Sequence, residues 1–160
     1  MVSLPMPEFV DAPARCFVGL SDRFTPETRD RIPALYQRFF QAQLCPEHGL
    51  CGALFGLSYN SAPEGFDYAV AVEVSGNGAV PDGACRVGTP AGRYAVFRAR
   101  GPVMEIPQMF DAVLQDWLPG AGVELAEGPV FECYPDDPDC EASEENGMVM
   151  RYEIWVPVKD

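Results

Sequence analysis

Three features of this chain predict an α+β fold made of a β-α-β-β unit used twice. Two amphipathic helical stripes each open on Ile-Pro, two alternating strands each open on tyrosine, and a glycine-rich stretch separates the halves. Ile32-Pro33-Ala34-Leu35-Tyr36 matches Ile106-Pro107-Gln108-Met109-Phe110, and Tyr68-Ala69-Val70-Ala71-Val72-Glu73-Val74 matches Tyr152-Glu153-Ile154-Trp155-Val156-Pro157-Val158. Two such units place both helices on one face of a mostly antiparallel sheet and leave the other face to curve around a ligand groove.

The elements follow in order. Residues 1–14 are proline-rich and read as an extended lead-in to a single domain over 15–160, with repeat one at 15–75, a connector at 76–92 and repeat two at 93–160. Arg15–Leu20 is the first strand, and Ser21–Asp30 a polar loop. Ile32, Leu35, Tyr36, Phe39, Phe40 and Leu44 form a helical stripe, with Pro33 tolerated in the first turn and Pro46 ending the run. Leu50–Tyr59 and Phe66–Val74 are strands joined by the turn Ser61–Gly65, and Ser75–Gly92 is a long connection. In the second half, Arg93–Arg100 is a strand. A helix begins near Met104 and stops at Pro119-Gly120. Val130–Tyr134 and Met150–Val158 are the closing strands, with a loop between them reaching Gly147.

Composition narrows the partners. The 160 residues hold 48% hydrophobic and 22% charged residues, enough to bury a core. The formal net charge of −13 disfavours direct contact with nucleic acid or an anionic membrane and favours cationic ligands or basic protein surfaces. Six cysteines fall in no C-x-x-C pair, no signal peptide opens the chain, and no apolar run nears the ~20 residues that span a bilayer. The expectation is a cytoplasmic protein with free thiols.

Alternation then assigns side chains. With Tyr68, Val70, Val72, Val74 and Tyr152, Ile154, Val156, Val158 beneath the helices, the opposite face receives Ala69, Ala71, Glu73, Glu153 and Trp155. On the Val130–Tyr134 strand, Phe131 and Cys133 suit the core, which sends Glu132 and Tyr134 to the groove. Carboxylates among aromatic walls attract an amphipathic cation, and a half-buried carboxylate is also a candidate acid or base. The candidate ligand-binding residues are therefore Glu153, Trp155, Glu132, Tyr134, Glu73 and Ala71. Glu153 and Glu132 would be catalytic if the chain is a metal-free hydrolase. Each has a plainer alternative: Glu153 paired with Arg98, Arg100 or Arg151, Trp155 as packing, Tyr134 at a rim, and Glu73 as an exposed strand-end charge.

The ordered pieces Ile32-Pro33 to Phe39, Phe66-Asp67-Tyr68, Val72-Glu73-Val74, Pro90 to Phe97 with Gly101-Pro102, Trp117-Leu118-Pro119, Phe131-Glu132-Cys133-Tyr134 and Glu153 to Val158 resemble the GyrI-like domain. This is the effector-binding domain of AraC-type and MerR-type regulators, which also occurs alone. The resemblance, from about Arg15 onward, implies a tandem β-α-β-β fold binding cationic lipophilic compounds. It implies that Glu153 is the last-strand carboxylate contacting them, with Trp155, Glu132 and Tyr134 beside it. It further implies two alternatives, a hydrolase of cyclopropanoid compounds or a module acting on DNA gyrase or a regulator partner. No helix-turn-helix segment precedes Arg15, so direct transcriptional control by this stretch is not expected.

Other signals carry less. An EF-hand frame from Asp137 puts Ala142 where glycine belongs and Met148 where glutamate belongs. Cys45 and His48 are too few for zinc, and the connector glycines Gly76, Gly78, Gly83, Gly88 and Gly92 form no phosphate loop. No metal or cofactor is expected.

Overall fold

The computed structural model describes residues 4–42, 53–75, 79–135, 141–143 and 147–159. Leu44, Pro46, the Cys45/His48 pair, Gly76, Gly78 and most of the acidic segment after Pro135 lie outside the described residues.

The chain is an α+β sheet protein. β1 (Glu8–Ala12) and β2 (Arg15–Phe24) precede a 3₁₀ helix (Pro26–Arg31) and α1 (Ile32–Ala42), followed by β3 (Ala53–Ala62) and β4 (Gly65–Val74). β5 (Cys85–Thr89) leads to β6 (Gly92–Pro102), a short 3₁₀ turn and α2 (Ile106–Asp111). α2 continues as a π-helical segment (Ala112–Trp117) and a last turn to Gly120. β7 (Val130–Pro135), β8 (Glu141–Ser143) and β9 (Gly147–Val158) complete it. The sequence missed β1, β5 and β8, which are short strands of five, five and three residues set in Pro-, Gly- or Asp-rich surroundings. It also ended β2 too early: Asp22 and Arg23 look like loop residues but extend β2 along β4 as far as Phe24.

The antiparallel strands run β1-β6-β9-β7-β3-β4-β2-β5, with β8 on β9. Outward from the β3–β7 pair the order is β4, β2, β5 on one side and β9, β6, β1 on the other, so the two β-α-β-β units meet edge to edge. The 3₁₀ helix opens on Thr25, whose N–H donates to the Thr28 hydroxyl at 2.8 Å. α1 lays Leu35 and Phe39 against Phe24, Tyr68 and Val70, and α2 with its π-helical continuation lays Ile106, Met109 and Val113 against Phe97, Tyr152, Ile154 and Val156. Burial of each large apolar side chain in these layers is worth about 1.5–3 kcal/mol.

The sheet cannot be flat. β5 and β6 stand six strand spacings apart along the order, roughly 29 Å in a flat sheet, yet only Pro90 and Ala91 join them. The sheet therefore curls until its two ends approach, and Tyr94 of β6 seals the junction by donating to the Pro90 carbonyl at 2.7 Å. The inside of the curl is a second apolar core of Phe17, Phe55, Leu57, Ala69, Ala71, Val87, Tyr94, Val96 and Phe131. The helices cover part of the outside.

At the mouth of the curl stands Arg15. Its guanidinium donates to both oxygens of Glu73, at 3.0 and 2.8 Å, and lies 5.0–5.8 Å from the ring centres of Phe17, Phe55, Phe131 and Trp155. A forked ion pair inside an aromatic box is stronger than an exposed one. Arg15→Ala leaves Glu73 unpaired beside that box and is expected to lower the unfolding free energy by about 1–3 kcal/mol in urea titrations. An unchanged midpoint would show that the pair contributes nothing.

Candidate functional site

Register decides which carboxylate faces what. β9 pairs Trp155 with Phe131 and Glu153 with Cys133 of β7, and β3 pairs Gly56 with Glu132. Ala69, Ala71, Glu73, Glu153 and Trp155 thus share the inner face, as alternation predicted. The β7 assignment is reversed: Phe131 and Cys133 point into the curl, and Glu132 and Tyr134 lie on the helix side. The sequence could not show this, because β7 reads equally well on either face when both faces of the sheet are apolar.

The inner-face carboxylates are occupied by the protein itself. Glu153 accepts from Arg98 at 3.1 Å and from the Trp155 indole N–H at 2.9 Å. Arg98 also pairs with Glu8 of β1. Trp155 stacks on Phe131 at 5.4 Å, and Ala71 is fully buried. Burial pushes the Cys133 thiol up to about 12, which keeps it inert. The aromatic box does hold a cation, and that cation is Arg15.

Glu132 differs from the others. Only 7% exposed, it lies at the junction of the two repeats beneath the helix layer. Its Oε1 accepts from the hydroxyls of Tyr68 at 3.1 Å and Tyr134 at 3.4 Å. Tyr68 spends its one hydrogen there, so the 2.8 Å contact between the Tyr36 and Tyr68 hydroxyls has Tyr36 as donor. Oε2 is buried with no hydrogen-bond partner among the described residues. Burial pushes the carboxyl up to about 7, against the pull of the Tyr68 and Tyr134 hydroxyls and of the more distant Arg29 charge. Burial and the neighbouring Glu132 charge raise Tyr68 and Tyr134 well above their ordinary range, so both remain donors at neutral pH.

Tyr36 and Tyr68, which the sequence reading placed in the core, therefore belong to this cluster. The signal for them is Gly56: a Cβ there would lie 2.0 Å from the Tyr68 oxygen and 2.7 Å from that of Tyr36. Glycine lets the two phenols converge on the carboxylate across β3. The rings of Tyr36 and Tyr134 meet edge to face at 6.3 Å, each partly exposed. Two surface hollows of about 310 and 340 Å³ flank Tyr59 and Asn60 and include none of these residues. We give the cluster more weight because it combines a buried carboxylate oxygen without a partner among the described residues with aromatic walls, whereas the hollows, lined in part by Tyr59 and Phe110, carry only the exposed charges of Glu127 and Arg86. Among the described residues no three His, Cys, Asp or Glu side chains group as metal ligands, and no helix is long and apolar enough to cross a membrane.

Residues 5–159 match the family described as the GyrI-like small molecule binding domain. The chain belongs to that family. Among curated relatives, the transcriptional regulator BrlR of Pseudomonas aeruginosa is 31% identical over 130 residues, covering 78% of this chain. The chain spans about half the length of that regulator, with 46% of it matched. Among solved structures, SAV2435 bound to tetraphenylphosphonium superposes with a TM-score of 0.71 at 22% identity, covering 96% of this chain and 93% of its own. The Vibrio cholerae integron cassette protein VCH_CASS2 does so at 0.66 and 17%, covering 98% and 97%. At these identities the two structures establish a shared fold. This GyrI-like chain is thus a small-molecule-binding domain, as its residues resembled.

The raised carboxyl gives a signed stability test. In the unfolded chain Glu132 titrates near 4.5, and in the folded protein near 7. Between those values the folded state binds more protons than the unfolded one, so stability falls as pH rises through the window. The penalty is absent below about 4.5 and complete above about 7, where it reaches about 3 kcal/mol. Glu132→Gln removes it. Urea unfolding from pH 4.5 to 8 is expected to show the variant gaining on the wild type across that window and by a constant margin above it.

Proposed function

We propose that this domain binds amphipathic organic cations, with Glu132 as the counter-charge and Tyr36, Tyr68 and Tyr134 as its aromatic surround. The observation that carries this is the Glu132 Oε2 atom, buried and without a partner among the described residues, on a carboxylate whose other oxygen accepts from Tyr68 and Tyr134, with Tyr36 bonded to Tyr68. An ionised carboxylate so placed is costly until a positive charge arrives, and ring faces supply both apolar area and a negative surface for it. The ligand would enter by parting Tyr36 from Tyr134, whose partly exposed rings close the helix-side seam. That SAV2435, a neighbour in fold, is bound to a lipophilic phosphonium supports the same ligand class. Glu153 and Glu73 are second choices because Arg98 and Arg15 already neutralise them.

A specific observation also favours a second reading. A carboxyl that titrates near neutrality, beside two phenol donors, is suited to general acid and base work. The domain would then add water across a strained ring of the cyclopropanoid class. Glu132 would take the proton from water as its oxygen bonds to a ring carbon, then return a proton to the carbon released. Incubation with an electrophilic cyclopropane, followed by mass spectrometry for a product heavier by one water, tests it. Turnover that survives Glu132→Gln would remove Glu132 from the chemistry.

Tetraphenylphosphonium has no ionisable proton, so its binding reports on the protein alone. Calorimetry is expected to show Glu132→Gln weakening it tenfold or more, while Glu153→Gln changes it by less than about twofold. Wild-type affinity should rise as pH climbs through about 7 and level off above, because only the ionised carboxylate attracts the cation. In Glu132→Gln the pH profile should be flat. Equal losses in the two glutamine variants would return the site to the inner face.

A further inference from the structure

The outer face of the sheet continues past Glu132. Along the β3–β7 pair, same-face positions follow one another: Leu54 opposite Tyr134, Gly56 opposite Glu132, then Ser58 opposite Val130. Ser58 is also opposite Tyr68 of β4, the phenol that donates to Glu132. Two residues of a strand advance roughly 7 Å, so the Ser58–Val130 pair stands one side-chain layer beyond the carboxylate. The hollow of about 310 Å³ opens at that layer. Ser58 and Val130 line it from the sheet, and Phe110 of α2 and Leu114 of the π-helical segment line it from the helix.

Its far wall is fixed by backbone bonds to β9. Leu125 bridges Val158, the Ala126 N–H donates to the Pro157 carbonyl at 2.9 Å, and the Lys159 N–H donates to the Glu124 carbonyl at 2.8 Å. Leu125 still leaves 45% of its surface exposed, as an apolar lip of the hollow.

We propose that this hollow is the tail subsite of the Glu132 site, and that the ligands are elongated amphipathic cations carrying an aryl or alkyl tail a few bonds from the charge. This rests on the reading of Glu132 as the ligand's counter-charge.

Register, charge and shape each support the pairing of the two places. By register the hollow adjoins Tyr68 and follows Glu132 on the same face, so a head on the carboxylate leaves its tail at Ser58 and Val130. By charge, among the described residues the hollow is lined by no lysine or arginine, and its one charged residue is the acid Glu127. The other hollow begins at Tyr59 and Asn60, beyond Ser58, and carries Arg86, which repels a cation. By shape, the three phenols crowd the carboxylate and leave the apolar bulk of a ligand to be housed elsewhere, whereas Phe110, Leu114 and Leu125 offer it apolar walls. A wall already held in place by β9 spares the ligand the cost of ordering it.

The test is a homologous series of phenylalkyl-trimethylammonium ions, from benzyl to phenylhexyl, whose charge is permanent. Calorimetry is expected to show affinity rising about fourfold per methylene until the ring fills the hollow, and levelling there. Leu125→Ala and Phe110→Ala should each flatten that rise, with the longest members losing about threefold or more and benzyltrimethylammonium changing by less than about twofold. Glu132→Gln should lower every member by a similar factor and leave the rise intact. In NMR spectra of the wild type, the phenyl protons of the longer members should contact the methyl groups of Leu114 and Leu125. Should Phe110→Ala unfold, Leu125→Ala decides alone, because it trims a side chain already half in solvent. No rise along the series, or a rise that Leu125→Ala leaves untouched, overturns the proposal. If Glu132→Gln leaves every affinity unchanged, the reading beneath it fails instead, and Leu125→Ala still decides whether tails lodge in the hollow.

Discussion

The two-residue link between β5 and β6 is the constraint from which the rest follows. It obliges strands at opposite ends of the hydrogen-bonded order to meet, so a sheet that could have been an open platform becomes a curl with an inside and an outside. Strand twist supplies the curvature and Tyr94 fastens the closure. The inside then has to be packed, and Phe17, Phe55, Phe131 and Trp155 pack it, with Arg15 over their rings at the mouth. The proposed ligand site lies instead on the outer face, where the two repeats join.

The two halves of the duplication meet asymmetrically at that junction, where the proposed site lies. Tyr68 and Tyr152 are matching residues of the two repeats, but Tyr68 donates to Glu132 across the junction whereas Tyr152 donates to Glu105 within its own half at 3.2 Å. Tyr36 is matched by Phe110, which has no hydroxyl to offer. Glu132 faces Gly56 across the β3–β7 pair, so one repeat brings the charge and the other brings the space and the phenols. A symmetric pair of carboxylates at this position would repel at close range.

Several carboxylates on the strands and helices have an arginine partner. Glu73 is paired with Arg15, Glu153 with Arg98, Asp67 with Arg23 and Asp111 with Arg29. Among the described residues Glu132 has phenols alone, on one oxygen. On the proposed reading, a buried acid with no cation on it among the described residues, in a chain whose formal net charge is −13, is where an external cation gains most.

The sequence by itself determined the fold class, the two helices, the duplication and the faces of β4 and β9, because period-two and period-3.6 patterns in long elements report directly on which side is buried. It also offered glutamates among aromatics as the candidate site. It could not assign β7, since Phe131, Glu132, Cys133 and Tyr134 alternate two plausible faces and only the register with β3 and β9 selects one. Short β1 and β5 carry too few residues to show a period, and without them the curl that fills the inner face with Arg15 is invisible. Which glutamate stays unpaired is a matter of which arginines reach it. That depends on distances between strands and helices remote in sequence, so only the tertiary structure decided it.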